Sequence, residues 1–149
     1  MANTAPPELA EALADGLHNI GDAARLSGVS AKMIRHYEAI GLIPPASRTF
    51  AGYRIYSNKD LHRLRFIKRS RTLGFSVKQI EVLLGLWDDR ERASAEVKRM
   101  AQAHADDLGH RIEEMQAMQR TLLELAHRCH GDDRPDCPIL DDLAGPSGN

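Results

Sequence analysis

Apolar residues recur at helical spacing along most of the chain, and glycine, proline and capping residues separate the segments. The first segment ends at Gly28, a residue that suits the left-handed conformation closing a helix. Ser30 is a suitable N-cap for a second helix, which Gly41 closes. Two short helices joined by the turn SGVS predict a helix-turn-helix. The second of these helices displays Lys32, Arg35 and His36.

The next stretch, IPPASRTFAGYRIYS, favours strand rather than helix, because its prolines break a helix and its aromatic and β-branched residues suit a pleated sheet. Ala51 and Gly52 suit the tip of a small hairpin, and Arg48 and Arg54 give that hairpin positive charge. We interpret it as a wing. Capping boxes beginning at Ser57 and at Ser76 then predict two further helices.

Residues 91–128 contain no proline and one glycine, and they carry an imperfect heptad pattern. One position of the repeat is filled by Ala101, Leu108, Met115, Leu122 and Cys129, and the interleaved position by Val97, His104, Arg111 or Ile112, Met118 and Leu125. A helix of about 37 residues would be roughly 55 Å long. Such a helix cannot pack along its whole length on a small domain, so the pattern predicts a homodimer. The alternative is a helix that folds back on its own domain as a hairpin.

Composition narrows the class of protein. No apolar run among the 149 residues approaches the roughly 18 that a membrane span requires. The N-terminus lacks the basic start and apolar core of a secretory signal, so we expect a cytoplasmic protein. Residues 1–17 are rich in Ala and Pro, and we interpret them as a mobile N-terminal extension. No nucleophile–base pair or pair of catalytic carboxylates is evident, which disfavours an enzyme.

Charge is unevenly distributed although the whole chain has a net charge of −1. Residues 18–87 contain twelve Lys and Arg against four acidic residues, a net charge of +8, whereas residues 88–149 carry −6. A basic first half joined to an acidic second half indicates that polyanion binding is confined to the first half.

The only two cysteines, Cys129 and Cys137, bound the stretch CHGDDRPDC. Two thiols cannot hold a cluster that needs four cysteine ligands within one chain. They suit linear coordination of monovalent copper, silver or gold, which are soft ions that select thiolate. A helix beginning near Pro138 would offer backbone N–H groups to the residual negative charge. Two alternatives remain open: a zinc site completed by His127 and His130, and a redox dithiol.

The stretch NIGDAARLSGVSAKMIRHYEAIGLIPPASRTFAGYRIYS resembles the N-terminal winged helix-turn-helix of the MerR regulators. The second half, with WDDRERASAEVKRMAQAHADDLGHRIEEMQAM and CHGDDRPDCPI, resembles the copper-efflux branch of that family. The resemblance covers about residues 18–142. It implies a mainly α fold with a winged helix-turn-helix at 18–87, an antiparallel coiled-coil dimerisation helix at 88–128, and a metal-binding loop and tail at 129–149.

The resemblance also implies partners and residue roles. Family members are homodimers that grip a palindromic operator in double-stranded promoter DNA and distort it so that RNA polymerase engages both promoter elements. Matched residue by residue, Arg35 and Tyr37 on the second helix and Tyr53 and Arg54 in the wing correspond to positions that hold DNA. Lys32 corresponds to a position close to base edges.

Ser94 matches a family position near the metal loop of the partner subunit, where sensors of monovalent ions carry Ser and sensors of divalent ions tend to carry Cys. We therefore expect a transcription activator that senses one Cu(I) per protomer through Cys129 and Cys137 and switches on copper efflux or detoxification genes. A sensor tuned to Ag(I) or Au(I) is the alternative within the family. A Cu(I) carrier protein is the alternative from another class.

Overall fold

The computed structural model describes residues 6–145 and divides the chain into two compact units, residues 1–93 and residues 94–149. Within the described residues the first unit contains the helices α1 Leu9–Ala14, α2 Ile20–Ser27, α3 Ala31–Ala39, α4 Asn58–Thr72 and α5 Val77–Asp88, with the strands β1 His18–Asn19, β2 Ser47–Arg48 and β3 Arg54–Tyr56. The second contains α6 Ser94–Arg128 and α7 Pro138–Leu143. The mainly α prediction is confirmed.

The helix-turn-helix forms as its capping residues predict. Gly28 adopts a φ of 76° and closes α2, and the Ser30 side chain accepts a hydrogen bond from the Met33 backbone N–H at the start of α3. Both predicted capping boxes are present, and the side chains of Asp60 and Gln79 accept hydrogen bonds from the backbone N–H groups of Ser57 and Ser76, respectively. These local signals explain why the helices begin where they do.

One apolar core holds the first unit together, with α2 packed on both α3 and α4. The side chains of Ile34, Leu64, Ile67 and Ile80 are fully buried within it, and the core fixes the orientation of α3 relative to the wing. Burying a side chain of this size contributes about 1.5–3 kcal/mol. At one edge of the unit, Phe66 and Trp87 stack with their ring centroids 4.6 Å apart.

The wing is a three-stranded antiparallel sheet in the order β1-β3-β2. The predicted hairpin corresponds to β2 and β3, with Arg48 opposite Arg54. The sequence did not predict β1, in which His18 pairs with Tyr56 and Asn19 with Ile55. A two-residue strand has no periodic pattern of its own, so only the fold reveals this pairing.

Residues 6–17, here called the N-terminal arm, differ from the expectation of a mobile extension. They include helix α1, which contacts β1, and the side chain of Ala12 is completely buried. The chain then turns at Gly16, whose φ is 84°, and enters the sheet. A buried alanine requires close packing, which the composition of the segment did not predict. Residues 1–5 of the predicted extension lie outside the described residues, as do residues 146–149 of the predicted C-terminal tail.

In the second unit, α6 runs for 35 residues and begins at Ser94, three residues later than the heptad pattern suggested. It is about 50 Å long. The returning chain forms α7, which contacts α6 and begins at Pro138, as predicted. None of the helices in the described range combines the length and the apolar character that crossing a membrane requires.

Candidate nucleic-acid interface and thiol loop

Helix α3 has one buried and one exposed face. Ile34 is fully buried against the core, whereas Lys32, Arg35 and His36 are exposed. The three side chains that the sequence placed on the outer face of this helix therefore lie in solvent. Tyr37 is different, because only 5% of it is exposed and it belongs to the core. Its main role in the structure is packing, and its backbone carbonyl accepts hydrogen bonds from Leu42 and Ile43 as α3 ends.

The tip of the wing is a tight loop held by hydrogen bonds within the hairpin. The Thr49 N–H donates to the Tyr53 carbonyl at 2.8 Å, and the Tyr53 N–H donates to the Thr49 hydroxyl at 3.0 Å. Gly52 adopts a φ of 92°, which a residue with a side chain adopts only with strain. The loop presents two aromatic side chains to solvent, Tyr53 at 58% exposed and Phe50 at 78%.

Arg54 is held in the wing by Glu38, a residue that the sequence did not single out. The Arg54 Nε donates to Glu38 Oε2 at 3.1 Å, and the other oxygen of Glu38 accepts from the Ala46 N–H at 2.7 Å. The Glu38 side chain is 11% exposed and that of Arg54 is 29% exposed. Glu38 therefore ties the end of α3 to β3 through Arg54 and to Ala46, the residue that precedes β2, and the two Nη groups of Arg54 are not used in this ion pair.

Tyr56 lies beneath these charged residues. Its pKa is raised, first because burial disfavours the phenolate and second because the Glu38 carboxylate repels it, while Arg54 and Arg35 act in the opposite direction. Its hydroxyl oxygen is the one buried side-chain polar atom in the described residues without a hydrogen-bond partner. The charges of Glu38, Arg54 and Arg35 therefore all act on one buried phenol.

Helix α4 supplies further positive charge to the first unit. Lys59, Arg65, Lys68, Arg69 and Arg71 are all exposed. Arg63 is neutralised locally by an ion pair with Asp88 at 2.8 Å, and the Arg65 guanidinium donates to the Leu26 carbonyl at the end of α2. The excess of cations predicted from the sequence is thus displayed on the surface of this unit, where it favours binding to a polyanion.

The two cysteines lie near each other at the end of α6 and the start of α7, and both are free and partly buried. The Cys129 N–H still bonds to carbonyls of the last turn of α6, and Gly131 then turns the chain with a φ of 66°. Cys137 is the N-cap of α7, and its carbonyl accepts from the Asp141 N–H at 3.0 Å. The ends of two helices therefore set the positions of the two thiols.

The loop between the cysteines is ordered by Asp132 and Arg134. The Asp132 carboxylate accepts from the Arg134 backbone N–H at 3.0 Å and from its Nε at 2.8 Å. The hydrogen bond from the Arg134 side chain, more than any other cause, lowers the pKa of Asp132. Asp132 therefore shapes the loop through its contacts with Arg134.

Cys129 and Cys137 are the candidate donors at the loop. Among residues 6–145, no three or more His, Cys, Asp or Glu side chains are grouped so that they could hold a metal ion. The two-Cys, two-His zinc site is therefore not assembled in the described residues. A site with two thiolates fits a soft ion that accepts two ligands.

Ser94 is the first residue of α6 and is exposed. It stands about 50 Å from Cys129 along the same helix, given a rise of 1.5 Å per residue. Within one protomer Ser94 therefore has no role at the thiol loop. Only a second copy running in the opposite direction would bring it to a thiol loop.

An unpaired apolar stripe runs along α6 between these two ends. It consists of Ile112, Met115, Met118, Leu122 and Leu123, each more than half exposed. Met115, Met118 and Leu122 follow the predicted heptad positions. No residue of the described part of the second unit covers the stripe.

The helix-turn-helix, the winged sheet and the excess of surface cations define a DNA-binding regulator. The model described as "MerR family regulatory protein" matches residues 19–56, and the one described as "MerR, DNA binding" matches residues 61–125. The chain belongs to the MerR family of transcription regulators, whose members bind promoter DNA and act as dimers.

Two relatives and one solved structure illustrate the similarity. Heavy metal-dependent transcription regulator 2 of Rhizobium meliloti is 57% identical over 129 residues, covering 87% of this chain and 88% of that protein. The regulator CueR of Escherichia coli O6:H1 is 40% identical over 127 residues, covering 85% and 94%. The crystal structure of PbrR691 from Ralstonia metallidurans CH34 in complex with lead(II) is 30% identical, with a TM-score of 0.73 over 85% of this chain and 98% of that one.

Proposed function

We propose that this chain is a cytoplasmic transcription activator that senses Cu(I) through Cys129 and Cys137. The observation that carries the proposal is a pair of free thiols held near each other by two helix ends, without a third grouped ligand in the described residues. Membership of the MerR family supports a role in transcription regulation. Similarity to heavy metal-dependent regulators and to CueR supports a metal ion as the signal.

Charge selects the monovalent ion. Two thiolates with a monovalent cation leave a net charge of −1, whereas a divalent cation leaves none. The first turn of α7 begins at Pro138, so the backbone N–H groups of Ile139 and Leu140 have no partner within the helix and are available to a neighbouring anion. Such donors favour a site that keeps a negative charge, since burying that charge without hydrogen bonds is costly.

The protein acts as an antiparallel homodimer in this proposal. Pairing of the apolar stripe of α6 with its copy would remove five large side chains per protomer from water. Antiparallel pairing also carries Ser94 of one protomer towards the thiol loop of the other. A hydroxyl at that position adds no third thiolate, which keeps the site at two sulfur ligands and is consistent with a monovalent ion.

The DNA-binding face is formed by Lys32 and Arg35 on α3 and by Tyr53 and Arg54 in the wing. All four side chains have exposed atoms. In a dimer, the two copies of this face would bind the two halves of a palindromic operator. Tyr37 contributes mainly by packing α3, because little of its surface is free. We propose that metal binding changes the bend of the bound promoter, so that RNA polymerase engages both promoter elements.

In vitro transcription from the native promoter, under reducing conditions and with buffered metal, tests the proposal. Transcript yield should rise with Cu(I), Ag(I) or Au(I) and stay at the basal level with Zn(II), Pb(II) or Hg(II). Cys129→Ser and Cys137→Ser should each abolish the rise and leave operator binding unchanged. A strong response to a divalent ion would overturn the monovalent assignment, and activation that survives both substitutions would remove the thiols from the sensing role.

The same samples separate the alternatives. A gold- or silver-tuned sensor would respond to Ag(I) or Au(I) at lower free concentration than to Cu(I). A Cu(I) carrier would bind the ion without shifting operator DNA in a gel. The exposed cations on α3 and α4 favour the DNA-binding regulator over the carrier, because a carrier has no need of a basic surface.

A further inference from the structure

The N-terminal arm makes a contact with the wing that the family match does not include, since the matched region begins at residue 19. The Phe50 backbone N–H, at the wing tip, donates a hydrogen bond of 2.9 Å to the Pro7 carbonyl. Phe50 and Pro7 are 43 positions apart in the sequence. Among residues 6–145, this contact is the one hydrogen bond that joins the backbone of the wing tip to a residue outside the hairpin.

The arm is itself anchored, so this contact can restrain the tip. The Ala12 side chain is completely buried, α1 contacts β1, and β1 pairs with β3 of the wing. After α1, the Leu17 N–H donates to the Ala12 carbonyl at 3.0 Å and closes the turn at Gly16. The arm therefore meets the wing sheet at two places, through β1 at one edge and through Pro7 at the tip.

The physical consequence concerns the order of the loop from Thr49 to Tyr53. An exposed hairpin tip is among the least stable parts of a fold, and fixing its backbone costs conformational entropy. A tip that is already held when it meets DNA does not incur that cost on binding. Tyr53 lies in this loop and Arg54 follows it, so the arm acts on two of the proposed DNA contacts.

We propose that the N-terminal arm is a positioning element for the wing: it holds the Thr49–Tyr53 loop in its DNA-binding conformation and so raises operator affinity. The inference rests on the proposed role of the wing in DNA binding. It assigns the arm no DNA contact of its own. The result is a regulator in which a segment beyond the matched family region tunes the affinity for the operator.

The test uses three substitutions in the full-length chain. Ala12→Gln places a larger, uncharged side chain at the buried position of the arm. Gly16→Val opposes the positive φ of the turn, where an added side chain meets no neighbouring atom, so it acts through the backbone alone. Ala14→Gln is the matched control, because Ala14 lies in the same helix and is exposed. None of the three changes the net charge.

Two readouts are required. Hydrogen exchange of the Phe50 amide should accelerate in Ala12→Gln and Gly16→Val and stay at the wild-type rate in Ala14→Gln. Operator dissociation constants from fluorescence anisotropy should rise about five- to thirtyfold in the first two variants, as expected for freeing roughly one backbone residue. All three variants should remain folded in the absence of urea and unfold cooperatively, because Ala12 is not part of the main core cluster.

The outcomes are distinguishable. Faster exchange at Phe50 without loss of operator affinity would overturn the positioning role. Unchanged exchange in both variants would show that the arm does not restrain the tip and would equally overturn it. If the wild-type protein itself failed to bind the promoter, the proposed function would fail, while the exchange measurement would still report whether the arm restrains the wing.

Discussion

The ion pair between Glu38 and Arg54 is expected to be a structural link between α3 and the wing, and its strength can be estimated. A fully exposed ion pair contributes about 0.2–1 kcal/mol, whereas a hydrogen bond to a charged group in a less exposed setting contributes about 1.5–3 kcal/mol. With side chains 11% and 29% exposed and a separation of 3.1 Å, this pair lies between those cases. We expect a coupling energy of about 1–2 kcal/mol.

The measurement is a double-mutant cycle with Glu38→Gln, Arg54→Met and the double variant. Gln keeps the shape of the side chain and its acceptor for the Ala46 N–H, so the cycle isolates the charge-assisted bond. Urea unfolding at one fixed protomer concentration gives the four free energies of unfolding. Asp107 and Arg111 on α6 provide a matched control pair, 2.9 Å apart but with both side chains more than half exposed.

The control pair should show a coupling of about 0.3–0.5 kcal/mol, as is usual for exposed pairs one helical turn apart. A coupling for Glu38 and Arg54 no larger than that of the control would refute the reasoning, because the pair would then behave as a surface contact. Glu38→Ala should destabilise the protein more than Glu38→Gln does, since it also leaves the Ala46 N–H without its partner.

Three further predictions concern packing, titration and backbone conformation. Leu122→Glu, in the apolar stripe, should shift the dimer to monomer in sedimentation at micromolar concentration, whereas Ala117→Glu, exposed on the same helix but outside the stripe, should leave it dimeric. The raised pKa of Tyr56 means that the native state keeps its proton to higher pH than the unfolded state, so the contribution of Tyr56 to the free energy of unfolding should fall as pH rises above about 10 and be constant below it. Tyr56→Phe should remove this contribution in urea titrations and cost less than about 1 kcal/mol near pH 7. Gly28→Ala should destabilise the fold by about 1–2 kcal/mol in the same assay, because of the positive φ and because its Cβ would displace the Lys68 ammonium; a neutral result would contradict both reasons.

Local chemistry explains what the sequence could predict. Gly28, Ser30, Ser57 and Ser76 each act within a few residues of themselves, so their capping roles are visible without the fold. Pro138 likewise predicted the start of α7, because proline is favoured in the first turn of a helix. The exposed cations of α3 followed from the helical period once those ends were fixed.

Long-range contacts account for what the sequence did not predict. Glu38 holds Arg54 across 16 positions, the Pro7 carbonyl meets Phe50 across 43, and β1 is only two residues long. None of these three features produces a periodic pattern in the sequence from which it could have been predicted. Tyr37 shows a different case: the resemblance matched it to a position that holds DNA, whereas the structure buries its side chain in the core. At the thiol loop, the sequence identified Cys129 and Cys137 as candidate metal ligands. Only the structure shows that the hydrogen bonds between Asp132 and Arg134 determine the conformation of the loop.

The central claim is that two sulfur ligands per protomer bind one monovalent ion, and X-ray absorption at the copper K edge of the Cu(I)-loaded dimer tests it most directly. The account predicts two sulfur neighbours around each copper, one copper per protomer, and no bound copper in Cys129→Ser. Three or more sulfur or nitrogen neighbours around the ion would contradict the claim.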